Sequence, residues 1–415
     1  MKTYRLCELG ELKNGLNFEK RNIINPCKII GVGDFANNVY PNYEKLATIE
    51  RKLVSNDFFL KEDDIVFVRS NGNKTLVGRT MLIKDIQEEI TYSGFCIRFR
   101  VNCKDVYPEY LFYALRSPYC RKQYSYSQQT NITNLSQGIL GNVIVKLPSL
   151  SEQKRIARIL SNIDKKIMNN LKINDNLEQQ MKMLYDYWFT QFDFPDNNGN
   201  PYRSSGGKLV WNDIIKKDIP QNWRAIPMSD VFKFESGYPF SSDTYKTYGK
   251  YKLLTIKNVQ SNGINTNVDN YIEELPANLP EFCLLKPNDI LMSLTGNVGR
   301  IGIMYSNDCL LNQRVALAKP VNKEWNSFVY FLLKSDLVHK QYETIANGSS
   351  QQNLSPIEAG NVMIPFCESV TSQFSAICKK HLATIVANLA ENQELTNIRE
   401  WLLPMLMNGQ ATIED

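Results

Sequence analysis

The feature that most constrains the fold is an internal repeat, in which the first half of the chain recurs in altered form in the second half. The matched segments are residues 60–65 and 285–290, Val-Gly-Arg at 77–79 and 298–300, Asn-Leu-Ser at 134–136 and 353–355, and Ile163 and Ile377. These pairs lie 225, 221, 219 and 214 positions apart and keep one order, so a whole domain is duplicated. A duplicated domain usually performs one task twice, here on two similar but unequal targets.

Length and charge limit the classes of protein to consider. At 415 residues the chain exceeds the ~250–300 residues at which single cores stop growing, so two or three domains are expected. Residues 1–148 carry 21 Lys and Arg against 15 Asp and Glu, whereas residues 223–366 carry 13 of each. The basic first half favours a polyanionic partner, while a nucleic-acid surface in the second half requires a local arrangement of charges.

Several kinds of chemistry are missing from the sequence. The two histidines, His339 and His381, fall in helical patterns without a Ser or Cys nucleophile motif beside them, which argues against a hydrolase triad. There is no P-loop motif, no Cys-x-x-Cys pair among the nine cysteines and no apolar run of ~18 residues. We therefore expect a cytoplasmic protein that is not catalytic by itself, binds no cofactor or metal and contacts no membrane.

The repeat divides the chain into four blocks and a connector. The predicted boundaries are 1–148 for the first repeated domain, 149–191 for a central helical spacer, 192–222 for a connector, 223–366 for the second repeated domain and 367–409 for a C-terminal helical spacer. The repeated domains combine short β-branched or aromatic runs, such as residues 65–68 and 95–101, with turns and a short helix at 110–117 or 328–335. The predicted class is α+β, with two similar domains, each a twisted and mainly antiparallel sheet with helices.

The two spacers predict long helices with a heptad seam. The predicted seam residues are Ile156, Leu160, Ile163, Ile167, Asn174, Met181, Leu184 and Trp188 in the first spacer, and Ile377, Asn388, Leu395, Ile398 and Leu402 in the second. Asn174 and Asn388 share one seam position, and a buried Asn pair costs stability but fixes register. Either each helix packs only on its own domain, or the two pack as an antiparallel coiled coil with pseudo-two-fold symmetry, which we favour. A helix of ~38 residues would be ~57 Å long.

Polar loops recur at matched places in both repeated domains. Asn and Gln can hydrogen-bond adenine edges, Arg and Lys can bind guanine or phosphate, and Ser or Thr suits either, so these loops are candidates for DNA binding. The candidate residues are Ser70, Asn71, Asn73, Lys74, Arg79, Gln128, Gln129, Thr130, Asn131, Tyr238, Thr295, Asn297, Arg300, Ser349, Ser350, Gln351 and Gln352.

Each of these assignments has a plainer alternative. The loops could be ordinary connectors, Arg79 and Arg300 could pair with acidic neighbours, and Tyr238 could belong to the core. Two other functions also stay open. One is a stand-alone endonuclease that uses Asp34, Glu50 and Lys52, and the other is a coiled-coil assembly adaptor without base readout.

The chain resembles the specificity subunits of type I restriction-modification systems over essentially its full length. The segments that carry this resemblance are Leu-Pro-Ser-Leu-Ser-Glu-Gln-Lys-Arg-Ile at 147–156, Tyr-Asp-Tyr-Trp-Phe at 185–189 and the connector at 192–208. The second copy departs from the pattern, because residues 364–374 lack the Lys-Arg pair before the helix.

The resemblance implies two target-recognition domains, each reading half of an asymmetric, interrupted sequence in double-stranded DNA. It implies that the helical regions set the half-site separation and dock two modification (methyltransferase) subunits. S-adenosylmethionine, ATP and Mg would then be bound by partner subunits, with restriction subunits adding ATP-driven translocation and cleavage.

Overall fold

The computed structural model describes residues 1–18, 23–35, 38–73, 76–125, 134–346 and 353–411. The chain forms two compact units. Unit 1 comprises Met1–Ile167 and Glu394–Asp415, and unit 2 comprises Met168–Gln393. This division assigns part of each long helix to each unit, and the domain boundaries given above stay a prediction.

Unit 1 contains the first repeated domain. Its strands are β1 Lys2–Arg5, β2 Gly10–Asn14, β3 Pro26–Ile30, β4 Ala47–Glu50, β5 Ile65–Val68, β6 Thr80–Leu82, β7 Ile90–Tyr92, β8 Cys96–Val101 and β9 Ile144–Leu147. Its helices are α1 Leu6–Leu9, α2 Pro108–Arg116, α3 Pro118–Ser125 and α4 Gln137–Gly141, followed by the long helix α5, Leu150–Tyr185, which ends in unit 2.

Unit 2 contains the connector and the second repeated domain. After a π-helical turn at Asp186–Thr190 come the strands β10 Leu209–Asn212, β11 Lys217–Pro220, β12 Arg224–Pro227, β13 Phe232–Ser236, β14 Tyr251–Leu254, β15 Val259–Gln260, β16 Gly263–Ile264, β17 Tyr271–Ile272, β18 Ile290–Ser293, β19 Ile301–Ile303, β20 Cys309–Leu311, β21 Val315–Pro320 and β22 Met363–Phe366. The helices are α6 Asn326–Lys334, α7 Asp336–Ile345, α8 Pro356–Gly360 and α9 Glu368–Met407, which ends in unit 1.

The two units repeat one sheet topology. The four-stranded sheet has the order β2-β8-β5-β6 in unit 1 and β13-β21-β18-β19 in unit 2, and every neighbouring pair is antiparallel. The three-stranded sheet has the order β4-β3-β7 or β17-β14-β20 and contains one parallel pair, β3–β7 or β14–β20. The α+β class and the duplicated, mainly antiparallel domain predicted from the sequence are therefore confirmed.

The core of each repeated domain lies between its two sheets. In unit 1, Val66 and Met81 of the four-stranded sheet pack with Ile30 and Tyr92 of the three-stranded sheet. The corresponding cluster of unit 2 includes Leu291 and Leu317 of the four-stranded sheet and Leu254 and Leu311 of the three-stranded sheet. Because both faces of the central strand are covered, β5 and β18 are buried along their whole length.

The longest matched motif of the repeat forms the turn that starts this central strand. Asp64 Oδ2 accepts a hydrogen bond from the Lys61 backbone N–H at 2.7 Å, and Asp289 does the same for Lys286 at 2.7 Å. The preceding residues are Asp63 and Asn288, with φ of 69° and 76°. Asp and Asn tolerate this left-handed conformation better than most residues. The motif therefore recurs because the turn needs it.

In unit 2 the long helices α5 and α9 run antiparallel, and amide side chains join them. Asn388 Nδ2 donates to Asn174 Oδ1 at 2.8 Å, and Asn170 Nδ2 donates to Asn392 Oδ1 at 2.9 Å. The residue numbers along α9 fall as those along α5 rise, so the predicted antiparallel pairing is confirmed within this unit.

A buried carboxylate joins the helices in unit 1. Asp164 of α5 is 2% exposed and accepts hydrogen bonds from Arg399 of α9 and, at 2.6 Å, from the Tyr113 hydroxyl of α2. A buried charge is tolerated only when it is paired and hydrogen-bonded, so this contact fixes α2 against both helices. In unit 2, Glu178 of α5 accepts in the same way from Tyr330 and Lys334 of α6.

The seam register carried from α5 to α9 is wrong at two positions. Ile377 and Ile398, predicted to face the seam, are 47% and 46% exposed. The buried face of α9 in unit 2 includes Cys378 and Leu382, which belong to the cluster that contains Phe328 of α6. The core of the domain therefore sets this face in unit 2, and the offset copied from the other helix fails at Ile377 and Ile398.

The other predicted seam residues are more buried. Those fully buried are Ile156, Leu160, Asn174, Met181 and Trp188, and those half-buried are Ile163, Ile167, Leu184, Asn388, Leu395 and Leu402. The buried residues of α5 also include the polar Ser161 and Asp164, which the heptad pattern omits. Within the described ranges, none of the helices combines the length and apolarity that a membrane span requires.

The Asn174–Asn388 pair yields a stability prediction. We expect Asn174→Leu to lower the free energy of unfolding by ~1–3 kcal/mol, because it leaves the Asn388 amide without its partner. The double variant Asn174→Leu/Asn388→Leu should recover most of that loss, since both polar groups are removed together. Urea unfolding of the three proteins measures the difference. A double variant no more stable than the single one would contradict this account.

Candidate nucleic-acid interface

The first predicted loop is the hairpin turn of the four-stranded sheet. It spans residues 69–79 between β5 and β6 in unit 1, and residues 294–300 between β18 and β19 in unit 2. The loop of unit 1 is thus four residues longer, which matches the fall in the repeat offset from 225 to 221. The two domains therefore place loops of unequal length on one framework.

The segment that follows the second predicted loop pairs with the first loop in both units. Ser70 bridges to Asn134, and Thr295 bridges to Asn353. The adjoining backbone bonds are equivalent too: Leu135 N donates to Arg69 O at 2.8 Å, and Leu354 N donates to Leu294 O at 2.9 Å. Each domain therefore holds the first predicted loop and the segment that follows the second at the same end of its four-stranded sheet.

The described candidate residues differ in exposure and in local bonding. In unit 1, Ser70 and Asn71 are half-buried and Asn73 is exposed, and Asn71 Oδ1 accepts from the Asn73 backbone N–H at 2.7 Å. In unit 2, Asn297 is exposed, while the Thr295 hydroxyl is buried and has no hydrogen-bond partner among the described residues. The candidates that lie outside the described residues are Lys74, Gln128, Gln129, Thr130, Asn131, Ser349, Ser350, Gln351 and Gln352.

The two matched arginines close the first loop. Arg79 is half-buried; burial lowers the pKa of its guanidinium, and the nearby charge of Arg121 on α3 lowers that pKa further. Arg300 is also half-buried, and it forms no ion pair with any residue in the described ranges. Clustered or unneutralised guanidinium groups favour an anionic partner such as a phosphate.

The glycines before these arginines hold the loop against the helix that leads into the second loop. Gly78 and Gly299 have φ of 78° and 73°, in the left-handed region. A Cβ on Gly78 would lie 2.6 Å from Cε2 of Tyr124 on α3, and a Cβ on Gly299 would lie 3.6 Å from Cδ2 of Tyr342 on α7. Glycine is therefore required at both positions by its backbone conformation, and at Gly78 also by space.

Tyr238 has a packing role. It is half-buried against two hydrophobic clusters of unit 2, and its hydroxyl donates to Asn278 Oδ1 at 2.9 Å. Its backbone bridges to Asn312, which starts the turn between β20 and β21. These contacts favour the core alternative for the side chain, although the residue borders the loop end of the sheet.

The residues of the nuclease alternative are not brought together. Asp34 follows the end of β3, where its Oδ2 accepts from the Gly31 backbone N–H at 2.7 Å. Glu50 pairs with Pro26 at the beginning of β3, and the backbone N–H groups of Ile24 and Asn25 lower the pKa of its carboxyl. Among the described residues, no group of three or more His, Cys, Asp or Glu side chains could hold a metal ion.

Sequence reasoning missed one segment at this end of the sheet. Phe95 was placed in a strand, but β8 begins at Cys96, and Phe95 lies in the turn before it with its carbonyl accepting from Arg69 N at 2.8 Å. Its equivalent in unit 2 is Arg314, whose carbonyl accepts from Leu294 N at 3.1 Å. Aligning the two copies across this turn would have shown an apolar residue opposite a cation.

A duplicated α+β domain that anchors polar loops of unequal length at the same end of each sheet defines a protein with two related recognition surfaces. The comparisons with known proteins give the class. A family model described as the type I restriction modification DNA specificity domain matches residues 1–179 and 220–397. The chain belongs to this family, so it is a DNA-binding specificity subunit of the type I restriction-modification class.

Individual relatives resemble the chain over most of its length. The type I restriction enzyme MjaIX specificity subunit of Methanocaldococcus jannaschii is 25% identical over 315 residues, which is 75% of this chain and 70% of that protein. The HindI specificity subunit of Haemophilus influenzae is 22% identical over 440 aligned residues, covering 92% and 93% of the two chains. The S subunit structure from M. genitalium shares the fold, with a TM-score of 0.53 at 16% identity over 98% of this chain and 95% of that one.

The matched glycines give a second stability prediction. Gly299→Ala should cost ~1–2 kcal/mol, because alanine is strained in the left-handed region. Gly78→Ala should cost ~1–3 kcal/mol more, because its Cβ would overlap Tyr124. Urea unfolding measures both. Gly72→Ala in the same loop is the control, since Gly72 has no positive φ and its Cβ would meet no atom of the described residues within 4 Å. Equal losses at Gly72 and Gly78 would refute the steric argument.

Proposed function

We propose that the chain recognises a bipartite, asymmetric DNA target within a type I restriction-modification complex, each repeated domain reading one half-site. The observation that carries the proposal is that equivalent backbone hydrogen bonds hold loops of different length and sequence in the two domains. Both units hold their loops by the same backbone bonds, from Leu135 to Arg69 and from Leu354 to Leu294. The loops themselves differ in length and in side chains, which suits two half-sites of different sequence.

The side chains of the loops suit both parts of DNA recognition. Asn71, Asn73 and Asn297 supply amides that can hydrogen-bond two atoms of an adenine edge in the major groove. Arg79 and Arg300 supply charge for phosphates, contacts that fix orientation without reading sequence. The remaining loop candidates add the amide of Asn131, the ammonium group of Lys74, and Gln, Ser and Thr groups of the same two kinds.

The long helices serve as a spacer and as a docking surface. α5 has 36 residues, so it is ~54 Å long at ~1.5 Å per residue, more than one ~34–36 Å turn of B-DNA. Both helices also expose apolar side chains that a partner would cover. These residues are Leu171, Ile173 and Met183 on α5, and Ile377, Ile398 and Trp401 on α9.

The partners supply the catalysis. The chain docks two modification subunits, which hold S-adenosylmethionine and methylate adenine, and restriction subunits, which use ATP and Mg. The chain is not catalytic by itself, in line with the separation of Asp34 from Glu50 at opposite ends of β3.

Reconstitution tests this function. The purified chain mixed with its modification subunits and S-adenosylmethionine should methylate adenines at one interrupted sequence, and either component alone should not. Cleavage of DNA by the chain alone with Mg²⁺ would overturn the proposal in favour of the endonuclease. Assembly of a complex without sequence-dependent methylation would favour the adaptor. Replacing residues 1–148 with the first domain of another family member should change one half-site and leave the other.

A heptad insertion tests the spacer role. Seven residues added between Ile167 and Met168, and seven between Gln393 and Glu394, preserve the ~3.5-residue seam period. They lengthen each helix by ~10.5 Å, or about three base pairs at ~3.4 Å each. We expect the gap between half-sites to grow by about three base pairs, as mapped by sequencing methylated DNA. An unchanged gap with both half-sites still recognised would show that the helices do not set the spacing.

A further inference from the structure

The turn between β7 and β8 in unit 1, and between β20 and β21 in unit 2, is a third segment at the end of the four-stranded sheet where the first loop lies. Cys96 N donates to Ser93 O at 2.8 Å, and Val315 N donates to Asn312 O at 2.9 Å, so both turns have the same closing bond. Ser93 N donates to Ile30 O at 2.9 Å, and Asn312 N repeats this bond to Leu254 O at 3.2 Å. The two turns are therefore built alike.

Both turns also border the first loop directly. The carbonyl of Phe95 accepts from Arg69 N at 2.8 Å and from Ser70 N at 3.3 Å, and the carbonyl of Arg314 accepts from Leu294 N at 3.1 Å. The carbonyls of Arg69 and Leu294 also accept backbone hydrogen bonds from the segment that follows the second loop. Each turn thus lies beside the first loop and close to the segment that follows the second loop.

The side chains at the tips of the two turns differ in kind. Phe95 is 63% exposed and is the most exposed aromatic side chain among the described residues of unit 1. Arg314, its equivalent, is exposed as well. The backbone does not demand a phenylalanine, since an arginine occupies the same place in the same turn. An exposed phenylalanine beside the loops proposed to bind DNA can make an apolar contact with a base in the major groove.

We propose that these turns are the third reading segment of each domain, with Phe95 contacting a thymine methyl group in one half-site and Arg314 hydrogen-bonding a guanine in the other. Apolar side chains contact the thymine methyl in the major groove, and Arg binds guanine O6 and N7. This inference rests on the proposed function and deepens it. It assigns one base type in each half-site to one named residue.

Base analogues test the assignment in the complex with the modification subunits. The duplex carries the target mapped from methylated adenines, and each thymine of the first-domain half-site is replaced singly by deoxyuridine, which lacks the methyl group. For one such position, wild-type affinity should fall about fourfold, as expected for one buried methyl. The Phe95→Ala complex should bind the thymine and deoxyuridine duplexes equally.

The matching test for Arg314 uses 7-deazaguanine, which lacks the N7 acceptor, in the second-domain half-site. Arg314→Ala should lower affinity for the cognate duplex about 5- to 100-fold and remove the sensitivity to the analogue at one guanine. Dissociation constants by fluorescence anisotropy at one fixed salt concentration give both comparisons.

Two exposed residues serve as controls, each at the opposite end of a strand from the turn that contains Phe95 or Arg314. Ile24 is 88% exposed and precedes β3, whose other end carries the Ser93 bond. Lys319 is exposed near the end of β21, whose beginning follows Arg314. Ile24→Ala removes apolar surface and Lys319→Ala removes one positive charge, and both should bind every duplex within twofold of the wild type.

The outcomes separate the inference from the proposed function. Failure of the wild-type complex to methylate a specific sequence would refute the function itself. If the wild-type complex is sequence-specific but Phe95→Ala and Arg314→Ala bind every duplex as the control variants do, only the inference is refuted. A first half-site without thymine would also refute it. So would the loss of modification subunits from the Phe95→Ala or Arg314→Ala complex on size-exclusion chromatography, because that result would make the turn a contact with protein.

Discussion

The backbone of one residue in each domain holds the whole recognition end together. Arg69 donates its N–H to the Phe95 carbonyl and accepts at its own carbonyl from Leu135 N, so the end of β5 joins the turn on one side and the segment after the second loop on the other. Leu294 makes the equivalent bonds in unit 2. Because these are backbone bonds, they place no demand on side chains. The loops can change their residues without losing their positions.

This arrangement explains which parts of the repeat stayed alike. Asp64 and Asp289 cap the turn that starts the central strand, and Gly78 and Gly299 take a left-handed conformation that other residues adopt only with strain. Leu135 and its equivalent Leu354 are buried at the loop anchor. Apart from Arg79 and Arg300, the matched residues are thus structural supports, and the residues between the matched motifs are the ones free to diverge.

The contacts between the long helices include polar pairs at positions where apolar side chains would be more stable. Asn174 with Asn388, and Asn170 with Asn392, occupy interhelical positions that leucine could fill. Such pairs tolerate only one alignment, because a slip of one residue would leave amides buried without partners. A helix whose length sets a distance needs a single register more than it needs maximal stability. The buried Asp164 adds the same restriction in unit 1.

Much of the fold was predictable because the repeat allowed each half to be checked against the other. The strand at 65–68, the short helices α2 and α6 and the four-residue difference in the first loop all followed from local pattern and offset. The face of α9 did not, because Ile377 and Ile398 were placed by analogy with α5, whereas the core around Phe328 and Leu382 decides which face is buried. Asp164 was also missed, because a heptad pattern counts apolar residues and gives no sign of a buried charge.

Phe95 shows why the site was harder to predict than the fold. In sequence it continues the apolar run of β8, and alternation alone assigns it to the strand. Only the closing bond from Cys96 to Ser93 removes it from the strand and leaves its ring exposed. Arg314 shares the closing bond of the turn and the bond to the first loop, but it has a different side chain. Where two copies share these backbone bonds and differ at an exposed tip, the shared turn does not by itself determine which side chain stands there.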